Sequence, residues 1–278
     1  MAVRPRLVLI VAIVLLSGCA PTTAPAESPD APTTWPTSIA ALGHSGLTGY
    51  YSDPGKPGQD AKTNSWATGT NPDVESVYLR ALDQSPALEG NYLNAAVSGS
   101  NVDDLPAQVK AALRQDPLPD LFIIQSVDND EACDGTDDAN IPVYGDKMTA
   151  VLQSIVDGAP GAKIYVIGTP VTWQNYTDAE AGRPDLVTAN TGNGVCDVFD
   201  GAGHERPDAI TYGQSVTDAY GEALRASCAQ FPDCTFGGDE MRAMEVTTAD
   251  LAPDGNHFLI SGLNQMAQIA WDHIKDLG

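Results

Sequence analysis

"DLFIIQSV", residues 120–127, is a short apolar run that stops at a group of polar residues. A second run, "KIYVIGTP" at residues 163–170, follows after a segment with helical period over 146–157. The near-continuous apolar character of 121–124 and 164–167 is typical of strands that are buried on both faces of a sheet. A strand, a helix and a second strand in this order indicate a parallel sheet covered by helices.

The same alternation continues on both sides of these two strands. Two more strand-like runs precede them, "SIAALG" at 38–43 and "YLNAAV" at 92–97. Helical period recurs in four further segments: 73–84, 103–114, 208–229 and 260–276. The chain is therefore predicted to form an α/β fold in which a central parallel sheet of about five strands lies between two helical layers.

The first residues are typical of an exported protein. Arg4 and Arg6 precede an apolar run at 7–16, which is too short for a membrane-spanning helix of about 20 residues. Residues 16–19, LSGC, then resemble the bacterial lipobox, in which cleavage leaves a lipid-modified cysteine at the N-terminus. We expect residues 1–18 to be a lipoprotein signal peptide and Cys19 to carry a lipid; the alternative is an ordinary secretory signal.

The remaining sequence divides into a tether and one folded domain. Residues 19–37 are rich in Pro, Ala, Thr and Ser and have no apolar period, which predicts an extended, disordered tether. Residues 38–278 are long enough for one α/β domain with a sizeable core. We expect an exported monomer, either anchored by its lipid on the outer side of the cytoplasmic membrane or secreted.

The composition excludes two classes of partner. The chain has 37 Asp and Glu residues against 14 Lys and Arg residues, a formal charge of −23 at pH 7. Such a surface repels nucleic-acid phosphates and anionic lipid head groups. We therefore expect no nucleic-acid binding, and membrane contact only through the N-terminal lipid.

Four cysteines follow Cys19, an even number in a chain that is predicted to leave the cytoplasm. Disulfides are therefore expected, in one of the three pairings that four cysteines allow. We favour Cys228–Cys234, because these two lie close in sequence, together with Cys133–Cys196. Metal binding is less favoured, since no CxxC or HxxxH spacing accompanies the cysteines.

Residues just beyond the predicted strands are the first candidates for function, because ligands bind beyond the carboxyl ends of parallel strands. After the first strand, glycines at 43 and 46 flank Ser45 and permit a tight turn that exposes its hydroxyl. Gly99 lets the backbone approach a ligand and offers an unobstructed amide, and Asn129 offers a side-chain amide to a developing oxyanion. The structural alternatives are a helix cap for Ser45 and a turn for Gly99.

The stretch "DNDEACDGTDD" at 128–138 is also dense in carboxylates, as a calcium loop would be. The EF-hand pattern fails, because the third position from Asp130 is Ala132 and the twelfth is Ile141, where a bidentate Glu is needed. A looser calcium site remains an alternative. Our expectation is that the protein needs neither a metal nor a cofactor.

Asp254 and His257 lie three residues apart, just before the last helical segment, and are the candidate acid–base pair. In a loop, this spacing lets the carboxylate accept a hydrogen bond from the imidazole Nδ1, which leaves Nε2 free as a base. His204 has no Asp at the same spacing, and His273 lies in the final helix. Only His257 has the arrangement expected of a general base.

The candidate residues come one after another along the chain in a fixed order: Ser45, Gly99, Asn129, Asp254 and His257. This order resembles the four blocks of the SGNH hydrolases, also called the GDSL esterase and lipase superfamily, over residues 38–278. The resemblance implies a flavodoxin-like, three-layer α/β/α sandwich. It implies that Ser45 is the nucleophile and that His257, oriented by Asp254, is the base. It also implies an oxyanion hole made by the Ser45 amide, the Gly99 amide and the Asn129 side chain.

The sequence departs from the family pattern in two blocks. The first usually reads Gly-Asp-Ser and is Gly43-His44-Ser45 here; the third usually reads Gly-x-Asn-Asp and begins with Val127 here. Neither departure removes a group that makes or breaks bonds. We expect His44 to point away from the substrate, and the alternative is a second imidazole at the site. The last block, "GNHFLISG" at 255–262, resembles that of the family.

Two more segments are expected near the cleft. Residues 63–82 are similar to the segment after the nucleophile in some exported members, so Trp66 lies either in the cleft or in the core. Residues 171–207, which include Trp173 and Tyr176, are expected to form a wall of the pocket.

The sequence thus predicts a serine hydrolase that cleaves carboxylic esters through an acyl-enzyme: an esterase, lipase or carbohydrate O-acyl esterase acting on a small-molecule or glycan ester. The main alternative is a non-catalytic surface lipoprotein of the same fold that binds a glycan or peptide. A solute-binding lipoprotein fits less well, because it would need two α/β lobes and the chain offers one set of about five strands.

Overall fold

The computed structural model describes residues 35–189, 191 and 194–278. The predicted signal segment 1–18, the lipid-attachment residue Cys19 and the tether up to residue 34 lie outside the described residues. Among the residues described, no helix combines the length and the apolar character needed to cross a membrane.

A single parallel sheet forms the centre of the fold. Its five strands stand in the order β2-β1-β3-β4-β5, and every pair of neighbours is parallel. The strands are β1 (Ile39–Gly43), β2 (Tyr92–Asn94), β3 (Leu121–Gln125), β4 (Lys163–Ile167) and β5 (Cys234–Phe236). The two apolar runs that indicated buried strands are β3 and β4, and both lie inside the sheet, as predicted.

Helices connect the strands and cover both faces. In the described part of the chain they are α1 (Ser45–Thr48), α2 (Val77–Leu82), α3 (Leu105–Ala112), α4 (Asp137–Gly158), α5 (Trp173–Ala181), α6 (Pro184–Ala189), α7 (Pro207–Cys228), α8 (Gly238–Arg242) and α9 (Ile260–Ile274). Short 3₁₀ turns lie at Lys62–Asn64, Pro86–Leu88 and Thr248–Asp250.

The strands supply side chains to two hydrophobic cores, because successive residues of a strand point to opposite faces. Ile39 and Ala41 of β1 pack on one face with α2, α8 and α9. Ala40 and Leu42 pack on the other face with α3, α4 and α7. The sheet therefore lies between two helical layers, and the predicted α/β fold class is confirmed.

The structure differs from the sequence prediction mainly at element boundaries. Helix α4 begins at Asp137 rather than near residue 146, because its first turns contain Pro142 and exposed polar residues that hide the apolar period. Strand β5 has three residues and none of them is fully buried, so it gave no apolar run. Residues 171–207 contain α5 and α6, which were not predicted.

Candidate active site

A cavity of about 380 Å³ opens beyond the carboxyl ends of β1, β3 and β4. Ser45, Asn129 and His257 all line it, although they are far apart in sequence. Each follows a strand or precedes α9, so the parallel sheet brings their loops to one edge. The structure thus places three of the predicted site residues around a single cavity.

The turn after β1 presents Ser45 to the cavity. Gly43 ends the strand with φ +142°, and a Cβ at this position would lie 2.1 Å from the carbonyl oxygen of Gln125 on the neighbouring strand β3. Only glycine fits this approach. The backbone of Gly43 is also held by the buried side chain of Gln108, through hydrogen bonds of 2.7 and 2.9 Å. Ser45, half-buried, is the first residue of α1.

His257 and Asp254 form the predicted pair. The imidazole Nδ1 lies 2.7 Å from Oδ2 of Asp254, and Oδ1 of the same carboxylate accepts the backbone N–H groups of Asn256 and His257 at 3.1 Å. Burial raises the pKa of Asp254, but these hydrogen bonds outweigh it and hold the pKa below its usual value. The carboxylate therefore stays ionised and fixes the ring with Nδ1 as the donor.

The other nitrogen of His257 remains available for chemistry. Nε2 is buried, and among the described residues it has no hydrogen-bond partner. The ring of Tyr50 packs against the imidazole, with 4.8 Å between the ring centroids. Both His257 and Tyr50 line the cavity. An unprotonated Nε2 held in this way can accept a proton from a group bound in the cavity.

The two predicted oxyanion donors beyond Ser45 differ in position. Asn129 lines the cavity, and its Nδ2 donates a hydrogen bond of 2.9 Å to the carbonyl of Ser100, which leaves its second N–H for another acceptor. Gly99 is exposed and is not among the lining residues. A Cβ at Gly99 would meet no other protein atom within 4 Å, and its φ of +82° favours glycine in this turn. Its role as a donor stays a prediction.

The two residues that depart from the family pattern, Val127 and His44, lie in different environments. Val127 is fully buried with φ +108°, a conformation that favours glycine and strains a β-branched residue. His44 is 2% exposed, caps α1, and is not among the residues that line the cavity. Its orientation relative to a bound substrate stays a prediction.

The segment 171–207 forms a wall of the cavity, as expected. Trp173 and Tyr176 of α5 line it. So do Cys133 and Cys196, which are joined as a disulfide that connects this segment to the loop after β3. The second disulfide joins Cys228 to Cys234, and both pairings agree with the sequence interpretation. Trp66, in contrast, is fully buried in the core and donates to Gln125 at 3.0 Å.

Sequence reasoning missed the acidic character of the cavity. Four carboxylate side chains line it, and no Lys or Arg is among its lining residues; they are Asp128, Glu131, Glu180 and Asp197. Burial is the main cause of a raised pKa for Glu131, to about 8. These residues lie in three separate segments, so the sequence gives no local signal that they converge.

His257 is not the only histidine with a carboxylate side chain nearby. Nδ1 of His204 lies 3.2 Å from Asp200, four residues earlier, and Nε2 of His273 lies 3.9 Å from Glu240. The His204 side chain is 79% exposed and the pair lies outside the cavity lining. What distinguishes His257 is therefore its place at the cavity rather than its carboxylate alone.

The acidic loop after β3 makes local hydrogen bonds. Asp137 accepts the backbone N–H groups of Ala132 and Cys133 at 2.9 and 3.0 Å, and Asp134 accepts from Thr136. Over the described ranges, no group of three or more His, Cys, Asp or Glu side chains is arranged to hold a metal ion.

No protein-family model matches the sequence, and no curated protein is similar to it in sequence. Solved structures share its fold. A carbohydrate esterase family 2 enzyme with a carbohydrate binding domain, from Corynascus thermopiles (Myceliophthora fergusii), aligns with a TM-score of 0.50 and 13% identity, over 92% of this chain and 68% of that chain. A protein assigned as a GDSL-like lipase, from Parabacteroides merdae, aligns with a TM-score of 0.50 and 16% identity, over 87% and 97%.

A family two carbohydrate esterase from Clostridium thermocellum, solved in complex with cellohexaose, aligns with a TM-score of 0.51 and 13% identity. This alignment covers 86% of the present chain and 63% of that chain. At such identities the likeness is one of fold. The fold is that of GDSL-type esterases and lipases.

Proposed function

We propose that this protein is a serine hydrolase of the SGNH type that cleaves carboxylic esters. The observation that carries the proposal is the cavity, which Ser45, Asn129 and His257 line together and at which Asp254 orients the imidazole. A nucleophile, a base and an oxyanion donor around one space are the groups that acyl transfer requires.

The reaction can be derived from these positions. Nε2 of His257 takes the proton of the Ser45 hydroxyl as Oγ attacks the acyl carbonyl. The Ser45 amide and the Asn129 side chain donate to the resulting oxyanion, with the Gly99 amide as a third predicted donor. The imidazolium then protonates the leaving alcohol. Water, activated by the same imidazole, finally releases the acid from the acyl-enzyme.

In the present structure His257 and Ser45 are not hydrogen-bonded, since Nε2 has no partner among the described residues. Catalytic hydrogen bonds are often long in a free enzyme and tighten when substrate binds. His257, with its buried Nε2, and the half-buried residue Ser45 line one cavity, which supports the formation of this hydrogen bond when substrate binds.

The substrate that we propose is a small-molecule or glycan ester outside the cytoplasm. Two disulfides favour an oxidising compartment. The N-terminal signal and Cys19 predict export with a lipid anchor. Two of the enzymes with a similar fold are carbohydrate esterases, and the cavity offers the aromatic side chains of Tyr50 and Trp173 against which a sugar ring can pack.

Replacing the nucleophile tests the proposal. Ser45→Ala should lower kcat/KM for a short-chain aryl ester at least about 10³-fold, because no other group in the triad can form the acyl bond. A fluorophosphonate probe should label the wild type and leave Ser45→Ala unlabelled. Ser154→Ala, an exposed serine in α4, is the matched control and should keep both properties.

The alternative of a non-catalytic glycan- or peptide-binding lipoprotein makes a different prediction. A folded wild type that binds an acylated oligosaccharide, but neither hydrolyses it nor reacts with the probe, would contradict the enzyme assignment. Retention of most activity by Ser45→Ala would contradict the choice of nucleophile.

A further inference from the structure

His44 is a buried histidine beside the proposed nucleophile, and the reaction described above does not use it. Its side chain is the cap of α1, in which Nδ1 accepts the backbone N–H of Gly46 at 3.2 Å. On the other side of the ring, Nε2 lies 3.3 Å from Oδ2 of Asp128. This second contact is within ion-pair distance, although it does not meet hydrogen-bond geometry.

The cap determines which nitrogen carries the proton. A neutral imidazole has one N–H group, and a nitrogen that accepts a hydrogen bond cannot carry it. Because Nδ1 accepts from Gly46, the proton of His44 lies on Nε2 and faces Asp128. Burial lowers the pKa of His44, and nearby Asp128 raises it by less, so the neutral form is favoured.

Asp128 is itself held from the opposite side. Its Oδ1 accepts a short hydrogen bond from the hydroxyl of Thr169, which lies just after β4. His44 lies after β1 and Asp128 after β3, so the three side chains connect the ends of three adjacent strands. The next residue after Asp128 is Asn129, the proposed oxyanion donor.

We propose that His44 and Asp128 are a positioning pair, which sets the distance between the serine turn and the loop that carries Asn129. His44 holds the turn through its hydrogen bond with Gly46, and its Nε2–H lies 3.3 Å from the Asp128 carboxylate, close enough for a polar attraction to the loop. The inference rests on the proposed ester hydrolysis. Misplacing reacting groups by about 1 Å can lower a rate about 10²-fold, so an error in this distance should appear in kcat.

Two substitutions of His44 separate its two contacts. The side chain of Asn reaches the position of Nδ1, so His44→Asn keeps an acceptor for the Gly46 amide and loses the contact with Asp128. The longer side chain of Gln reaches the position of Nε2, so His44→Gln keeps a donor to Asp128 and loses the cap. Asn is a favourable cap residue, whereas losing the cap destabilises a helix start.

The proposal predicts that activity and stability change in opposite ways in these variants. His44→Asn should keep a Tm close to that of the wild type while kcat falls about 10- to 100-fold and KM stays constant. His44→Gln should have a lower Tm and a higher kcat than His44→Asn. His204→Asn, in the exposed Asp–His pair, is the control and should match the wild type in both measurements.

Asp128→Asn completes a double-mutant cycle with His44→Asn. If the two side chains act together, the double variant should lose no more kcat than the worse single variant. A kcat of His44→Asn equal to that of the wild type, kcat losses that track the Tm losses in both His44 variants, or effects that multiply in the double variant would each overturn the inference. A wild type that is inactive on esters and unlabelled by the probe would overturn both this inference and the proposed function.

Discussion

Glu131, in the wall of the cavity, should make the stability of this protein depend on pH. The side chain lines the cavity, and its Oε1 is buried without a hydrogen-bond partner among the described residues. Burial raises its pKa from the ordinary value of 4.5 to about 8, more than the hydrogen bond from Thr217 lowers it. In the folded protein at neutral pH, Glu131 is therefore protonated.

The sign and size of the effect come from proton linkage. Between pH 4.5 and about 8 the folded chain holds a proton on Glu131 that the unfolded chain has released. The stabilisation from the neutral side chain is fully present below pH 4.5 and is lost as the pH rises through about 8. One such proton changes the free energy of unfolding by about 1.4 kcal/mol per pH unit, or about 3–5 kcal/mol over the interval.

Glu131→Gln replaces the neutral acid by a neutral amide of the same shape. The test is urea unfolding, monitored by tryptophan fluorescence, at pH 5, 6, 7 and 8. As the pH rises, the free energy of unfolding of the wild type should fall by about 1 kcal/mol per pH unit relative to that of Glu131→Gln. Asp130, whose pKa burial raises to about 6, is present in both proteins and cancels from the comparison.

Thr177→Ser is the control, because Thr177 lines the same cavity and neither Thr nor Ser titrates between pH 5 and 8. Its effect on the free energy of unfolding should be the same at every pH. A difference between the wild type and Glu131→Gln that stays constant from pH 5 to 8 would refute the reasoning. It would show that Glu131 ionises in the folded protein as easily as in the unfolded chain.

Two further predictions concern stability. Cys133→Ala/Cys196→Ala opens a disulfide with a sequence separation of 63 residues. By chain entropy it should lower the free energy of unfolding by about 4 kcal/mol in a denaturant titration, and a loss below about 1 kcal/mol would contradict this estimate. Val127→Gly removes a buried side chain but relieves its positive φ, whereas Val102→Gly removes a buried loop valine that has no positive φ. Val127→Gly should therefore lower the free energy of unfolding by about 1–3 kcal/mol less than Val102→Gly does. Equal losses in thermal or urea unfolding would show that the backbone at residue 127 is not strained.

The sequence was informative where the physical signal is local. Unbroken apolar runs identified β3 and β4, because a strand covered on both faces has no polar side. The pairing of Asp254 with His257 was also predictable, since three residues of a loop suffice to form it. The order of Ser45, Asn129 and this pair then indicated one site at the edge of the sheet.

The features that the sequence could not reveal depend on contacts between distant segments. Strand β5 is short and only partly buried, so pairing with β4 rather than its own composition makes it a strand. The contact of His44 with Asp128 joins residues 84 positions apart, which no spacing rule detects. Gly99 has a positive φ that favours glycine in an exposed turn, and its role as an oxyanion donor stays a prediction.

The acidic side chains that line the cavity, with Glu131 neutral, bear on which proposed substrates can bind there. An ester that carries a negative charge would approach Asp128 and Asp197 with no cationic side chain among the lining residues to attract it. A neutral acylated sugar meets no such barrier, and its hydroxyl groups can donate to the same oxygens. On the proposed function, we therefore expect a neutral ester to be hydrolysed faster than an anionic ester of the same size.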